Sequence, residues 1–169
     1  MKLNKLYLLL VLIMGAFAFA ACGDDEEQQP QDQEQVSEAN KEVVGTYTGW
    51  THLTTKFIDK IYNGDTFTLK LEEDGTLTGI FVNKIWGTAT LKGITATKGY
   101  KLEHGGGSFV MNDPRDNTTQ EFSCWLDFAL ISADRKQMTA VIIANMDMTG
   151  AHGEMTFTFQ TGEKLTPAS

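Results

Sequence analysis

From residue 43 onward, apolar and polar side chains alternate in short runs that are separated by turn residues. A period of two places the apolar side chains of each run on one face of a β-strand. In residues 66–72, for example, Phe67, Leu69 and Leu71 alternate with threonine and lysine, and Asp74-Gly75 follows as a hairpin turn. Residues 41–169 contain 21 threonines, which favour strands. No part of this region has the pattern of a long amphipathic helix.

These patterns predict eight or nine strands. Their ranges are 44–53, 66–72, 76–84, 88–97, 100–104, 109–111, 121–131, 138–146 and 154–160. Residues 56–62 fit either a strand closed by an Asn63-Gly64 hairpin or a helix face, and the Asn-Gly pair favours the strand. The Gly105-Gly106-Gly107 run predicts a bend or bulge. Successive strands with tight turns predict an all-β antiparallel up-and-down meander, which removes its exposed edges by closing into a barrel.

The strand over 138–146 is apolar on both faces, although a barrel buries only one face of each strand. Val141 and Ile143 lie on the predicted outer face. The partner strand 121–131 is predicted to add Trp125, Ala129 and Ile131 to that face. Its predicted inner face is lined by Phe122, Cys124, Leu126, Phe128 and Leu130. We therefore predict an interaction patch at Trp125, Val141 and Ile143, which binds a second copy or another protein.

The first 21 residues have the composition of a signal peptide. Lys2 and Lys5 precede 16 residues without charge, and the run ends in small residues. A transmembrane anchor is the alternative, but a 16-residue helix is only ~24 Å long and the hydrocarbon layer is ~30 Å thick.

Residues 22–40 form a separate acidic segment that we predict to be a disordered tether. Residues 23–40 carry seven carboxylates, no basic residue and almost no apolar side chain, so they cannot bury enough surface to fold. The folded domain is predicted to span 41–169. The chain has a net charge of -8 and no cluster of basic residues, which excludes nucleic acid as an expected partner.

The residues around Cys22 resemble a bacterial lipobox, with the sequence Phe19-Ala20-Ala21-Cys22. This resemblance implies cleavage before Cys22, attachment of a diacylglycerol to its thiol, and an N-acyl chain such as palmitate. The membrane would then be a partner through the lipid. The acidic run 23–27 resembles the export signal of surface lipoproteins in Gram-negative bacteria, and a solvated charge run is the alternative.

Residues 43–161 resemble the calycin-like, or lipocalin-like, β-barrel lipoproteins of Gram-negative bacteria. The similarity lies in residues 44–49, in the strand 87–99 with Tyr100 after it, and in the closing strand 154–159. It implies a calycin-like barrel that is lipid-anchored in the outer membrane, is exposed at the cell surface, and carries a small molecule.

Four aromatic residues are the candidate ligand contacts, because aromatic rings on a β-scaffold can stack on a small apolar or glycan-like ligand. They are Tyr47, Trp50, Trp86 and Tyr100. The alternative is a protein-interaction or structural module whose barrel is filled by its own side chains. A void of ~300 Å³ or more would favour the carrier. A core packed by residues such as Phe67, Phe122, Phe128 and Phe157 would favour the module.

The sequence contains no catalytic motif, so we do not expect an enzyme. His52, His104 and His152 lack metal-ligand spacing, and neither a metal nor a cofactor is predicted. Cys124 is the cysteine that remains besides Cys22. We expect it to be a buried and unreactive core thiol, and an intermolecular disulfide is the alternative.

Overall fold

The computed structural model describes residues 38–113, 118–146 and 153–163. A short helical turn over 38–42 is followed by β-strands throughout, which confirms the predicted all-β class. The strands are β1 (Gly45–Thr54), β2 (Asp59–Leu71), β3 (Leu77–Asn83), β4 (Gly87–Ala96), β5 (Lys101–Glu103), β6 (Gly106–Asn112), β7 (Thr119–Ile131), β8 (Met138–Asn145) and β9 (Glu154–Thr161).

The strands form one antiparallel sheet that closes on itself. β5 and β6 follow one another between β4 and β7, so together they fill one of eight positions around the barrel. β1 pairs with β9, from Gly49 opposite Thr161 to Thr54 opposite Thr156. The predicted closed meander is confirmed, and closure leaves no strand edge open along this circuit.

The break between β5 and β6 lies at the same level of the barrel as bulges in the two neighbouring strands, β4 and β7. His104 and Gly105 have φ values of 63° and 102°, and the bulge in β4 contains Gly93 with φ of 70°. The pairing of β7 with β8 shifts at the same level, between Leu126 and Phe128. Bulges of this kind bend and twist a sheet. The interruption predicted from the glycine run is therefore present, but it occupies residues 104–105, and Gly106 and Gly107 already belong to β6.

The bulge in β7 corrects the predicted faces of that strand. Asp127 is the extra residue, so every side chain after it points to the opposite face from the one that simple alternation predicts. Phe128 and Leu130 are exposed on the outer wall, whereas Ala129 and Ile131 are buried inside. The predictions for these four residues were wrong for this single reason.

A second bulge corrects the hairpin predicted at Asn63-Gly64. Both residues lie within the continuous strand β2, where Gly49 pairs with Asp65 and Trp50 pairs with Asn63. Gly64 is the extra residue, and its φ of 77° suits glycine. The chain turns earlier, over residues 55–58. The strand preference for 56–62 is thus right from residue 59 onward, and the segment before it is a turn.

Phenylalanine rings that come from four strands pack together in the interior of the barrel. Neighbouring ring centroids are 5.1–6.3 Å apart, and all five side chains are completely buried. They are Phe67, Phe81, Phe109, Phe157 and Phe159. Tilted and edge-on contacts of this kind add to the stabilisation from burial alone.

The helical turn over 38–42 covers one end of the barrel, which we call the capped end. Asn40 is 1% exposed, and its side chain connects two parts of the sheet. Its amide nitrogen donates to the carbonyl of Gly75 at 2.7 Å, and its amide oxygen accepts from the backbone N–H of Ala96 at 2.6 Å. Residues 38–40, which their composition places in the tether, are therefore part of the folded unit. The β1–β2 and β3–β4 turns lie at the opposite end, the far end.

Replacing Asn40 with alanine should destabilise the barrel by about 1–3 kcal/mol, because it leaves the buried N–H of Ala96 without its partner. Chemical denaturation gives the free energy of unfolding. Lys41→Ala is the control, since Lys41 forms only an exposed ion pair with Glu38, and it should change little. Equal stabilities for the two variants would show that Asn40 does not hold the capped end.

Candidate functional site

The four aromatic residues predicted to bind a ligand lie in different parts of the barrel. Tyr47 is buried at the capped end and its hydroxyl donates to the carbonyl of Val43 at 3.0 Å. Tyr100 follows the β4–β5 turn at that same end. Trp50 lies on the outer face of β1. Trp86 lies at the far end, where its indole N–H donates to the hydroxyl of Tyr62 at 2.8 Å. The structure thus brings together Tyr47 and Tyr100 only.

Tyr100 belongs to a polar cluster that joins the helical turn to two other turns. Its hydroxyl donates to the carboxylate of Glu42. Arg135, from the β7–β8 turn, donates to that carboxylate at 3.2 Å and to the Tyr100 hydroxyl at 3.0 Å. Its guanidinium also lies 5.7 Å from the centre of the Tyr100 ring. The cluster positions the three segments, and sequence reasoning missed it because its members are far apart in the chain.

The predicted interaction patch lies on the outer wall of β7 and β8. Trp125 is paired with Ile143, and Phe128 is paired with Val141. All four side chains face outward and are partly exposed, Phe128 the most at 39%. Leu130 extends the patch along β7. The outer apolar patch therefore consists of Trp125, Phe128, Leu130, Val141 and Ile143, and it is larger than predicted because of the bulge at Asp127.

A polar cluster at the far end shapes the β3–β4 turn. The buried side chain of Asn83 donates to the carboxylate of Asp65 at 2.7 Å. Its oxygen accepts from the backbone N–H groups of Ile85 and Trp86 at 3.1 and 2.9 Å. These bonds account for two buried polar residues, so we assign them a structural role.

An open groove of about 580 Å³ runs beside the β2–β3 turn. Asp74, one of its three acidic residues, accepts hydrogen bonds from the backbone and hydroxyl of Thr76, and these bonds lower the pKa of Asp74. Its carboxylate is thus already used in the turn. The groove is lined by Glu72, Glu73, Asp74, Thr76, Thr78, Lys92 and Gly93.

Cys124 is 3% exposed on the inner face of β7, as predicted for a core thiol. Burial raises the pKa of the thiol to about 11, so it stays protonated at neutral pH. Such a thiol is a poor nucleophile. Cys22, the predicted lipid attachment site, lies outside the described residues.

The histidines do not form a common site within the described residues. His52 lies 2.5 Å from the carboxylate of Asp59 on the outer wall, and His104 lies at the break between β5 and β6. His152 falls outside the residues that the structure describes. No group of three or more metal-binding side chains is found in the described part of the chain. Over the same ranges, no helix is long and apolar enough to cross a membrane.

Comparisons with known proteins agree with the barrel fold. No protein-family model and no curated protein matches this chain. Among solved structures, the chain is similar to a "putative outer membrane protein" from Bacteroides fragilis NCTC 9343, with a TM-score of 0.56 and 20% sequence identity. The match covers 73% of this chain and 46% of that protein, so this chain spans less than half of its length. The likeness shows a shared barrel fold, and membership of the calycin-like family stays a prediction.

The buried thiol predicts a loss of stability at alkaline pH. In the unfolded chain the Cys124 thiol loses its proton near the ordinary pKa of 9.0, whereas in the folded barrel it does so near 11. Between these values the unfolded state binds fewer protons, so the free energy of unfolding should fall as pH rises through this window. Denaturation at a series of pH values would measure the slope.

Cys124→Ala is the matched variant, and its stability should fall less steeply over that window. Part of the slope should remain above about pH 10, because burial also raises the pKa of Tyr47, although the charge of Arg135 opposes this. The same slope in both proteins would contradict the assignment to Cys124.

Proposed function

We propose that this protein is a lipid-anchored outer-membrane protein whose filled barrel acts through its outer surface as a protein-interaction module. The observation that supports this proposal most directly is the contrast between the inner and outer faces of the sheet. Five phenylalanine rings occupy the interior, while the outer apolar patch on β7 and β8 is exposed. An apolar patch of this kind on a water-exposed face is typical of an interaction site.

The location of the module is proposed from three observations. The lipobox-like residues before Cys22 support lipid attachment, and several acyl chains hold a protein on a membrane far better than one. The structural neighbour is named a "putative outer membrane protein", which supports that membrane as the destination. The acidic run 23–27 supports export to the cell surface.

The proposed partner of the outer apolar patch is a second copy of this chain. The chain carries a net charge of -8, so two copies repel each other over most orientations. On its β8 and β9 side the wall beside the patch is uncharged, because the outward side chains from residue 139 to 145 and from 156 to 160 are threonine, valine, isoleucine, asparagine and glutamine. On the β7 side, Asp127 at the bulge is an exposed carboxylate next to the patch. Two copies that meet across β8 and β9 bring no like charges together along these two strands.

A carrier of a small apolar or glycan-like ligand is the alternative function. Such a ligand would have to displace the interior rings or bind outside them. No catalytic activity, metal or cofactor is part of the proposal.

Val141→Lys combined with Ile143→Lys should abolish self-association, because it places four lysines in a two-fold interface. Sedimentation of residues 23–169, which include the whole folded unit, should show a dimer at tens of micromolar. We expect the dissociation constant of the variant to rise by about a hundredfold or more.

Ile80→Lys combined with Val82→Lys is the matched control, since these residues have the same types and the same partial exposure on the outer face of β3. It should leave the dimer intact. A native protein that sediments as a monomer would contradict self-association. A small molecule retained by the protein in native mass spectrometry would instead favour the carrier.

If Cys22 carries the lipid anchor, removal of residues 1–21 should depend on the lipoprotein-processing pathway. In a Gram-negative host, globomycin should cause a form that still contains residues 1–21 to accumulate, because it blocks lipoprotein processing. Cys22→Ser should prevent lipid attachment, whereas Cys124→Ser, which changes the other cysteine, should leave it unchanged. Normal processing in the presence of globomycin would contradict the anchor.

A further inference from the structure

A second exposed surface lies at the far end of the barrel, away from the outer apolar patch. The β1–β2 turn presents Phe57, whose side chain is 68% exposed, and Ile61 follows at 46%. The β3–β4 turn presents Ile85, which is 47% exposed. Lys56, Lys60 and Lys84 lie among these residues and are also exposed. We call residues 56–61 together with 84–85 the far rim.

The β3–β4 turn of the far rim is held against the first half of β2, which follows the β1–β2 turn. The indole of Trp86 donates to the hydroxyl of Tyr62 at 2.8 Å, which joins the β3–β4 turn to β2. The ammonium group of Lys84 lies over the backbone of Gly64, since a Cβ atom at Gly64 would be only 2.8 Å from it. These contacts place the β3–β4 turn beside the strand that carries Lys60 and Ile61.

Side-chain hydrogen bonds fix both turns, so the exposed apolar groups are held outward. The Thr55 hydroxyl accepts from the backbone N–H groups of Phe57 and Ile58 at 3.1 and 2.9 Å. The Asn83 side chain performs the same role in the β3–β4 turn. A surface that is ordered before binding loses less conformational entropy when it binds.

The far rim is basic in an acidic protein. Among the residues that the structure describes, its three lysines lie near the exposed Asp59, which is bonded to His52, and the buried Asp65, which accepts from Asn83 and from the backbone N–H of Lys84. Glu154 begins the neighbouring strand β9. The capped end has the opposite character beside the β2–β3 turn, where Glu72, Glu73 and Asp74 follow one another. This charge arrangement selects an anionic partner for the far rim.

We propose that the far rim binds an anionic lipid surface, with Phe57 and Ile85 inserted at the interface and the lysines on the headgroups. An exposed aromatic ring next to lysines is typical of membrane-interface contacts. The ammonium group of Lys56 is 5.4 Å from the centre of the Phe57 ring, so its charge and the ring reach the interface together. The acidic segment 23–37 of the same chain has a charge opposite to that of the far rim and is the alternative occupant. It has almost no apolar side chain to cover Phe57, so the lipid surface is the better fit.

This contact is compatible with the proposed lipid at Cys22 but does not depend on it. The 15 residues 23–37 can extend to about 50 Å. A ten-residue strand such as β1 rises only about 33 Å. The lipid and the far rim can therefore reach the same bilayer.

The test uses residues 23–169, which lack the lipid and the hydrophobic leader, and vesicles of phosphatidylcholine with and without about one third phosphatidylglycerol. Binding should occur at low salt only to the anionic vesicles and should weaken as salt is added. Lys56→Gln with Lys84→Gln should weaken it by about 25-fold, from about fivefold for each lysine near an anionic surface. Lys98→Gln with Lys136→Gln, at the capped end, should have little effect.

Fluorescence would identify which end enters the lipid. Phe57→Trp should add an emission that shifts to the blue on anionic vesicles, whereas Leu71→Trp, at the capped end, should add one that does not shift. The unfolding midpoint of each variant shows whether the barrel is intact.

Equal weakening of vesicle binding by the two lysine pairs would overturn the proposal. So would the absence of binding at low salt, in which case the far rim would fit an acidic protein instead.

Discussion

The packing of five phenylalanine rings at the centre of the barrel is the constraint on which the rest of the structure depends. The rings come from the neighbouring strands β2 and β3 and from β9 and β6, which lie two positions further around the circuit on either side. Phe81 and Phe157 lie 5.4 Å apart, and Phe109 and Phe157 lie 5.1 Å apart. An eight-stranded barrel has room for a side-chain core or for one small ligand. Here the side chains connect the walls through the centre.

Alternation alone predicted the faces of the regular strands. In β8, Met138, Ala140 and Ile142 point inward as expected, and the closing strand β9 directs Phe157 and Phe159 to the core. Alternation failed where one extra residue enters a strand. A bulge reverses the inward and outward faces of a strand without changing its composition. Because β7 has apolar residues on both faces, its sequence is equally compatible with a regular strand and with a bulged one.

The surfaces differ in how far sequence could identify them. The apolar residues on both faces of β8 revealed the outer patch, but the contribution of Phe128 and Leu130 required the position of the bulge. The far rim joins residues 56–61 to residues 84–85, and the capped-end cluster joins Glu42 to Tyr100 and Arg135. Such groupings depend on which turns of the meander share an end and on tertiary hydrogen bonds, so local patterns do not specify them. The same geometry separates Tyr47 from Trp86, because the start of β1 and the β3–β4 turn lie at opposite ends.

Proton NMR of residues 23–169 provides the most direct measurement of the filled barrel. Ring protons of Phe157 should show nuclear Overhauser effects to the rings of both Phe81 and Phe109, as their centroid separations require. No cross-peak from water or from a bound molecule should reach these rings. Missing contacts between the rings, or such a cross-peak at the centre of the barrel, would contradict the account.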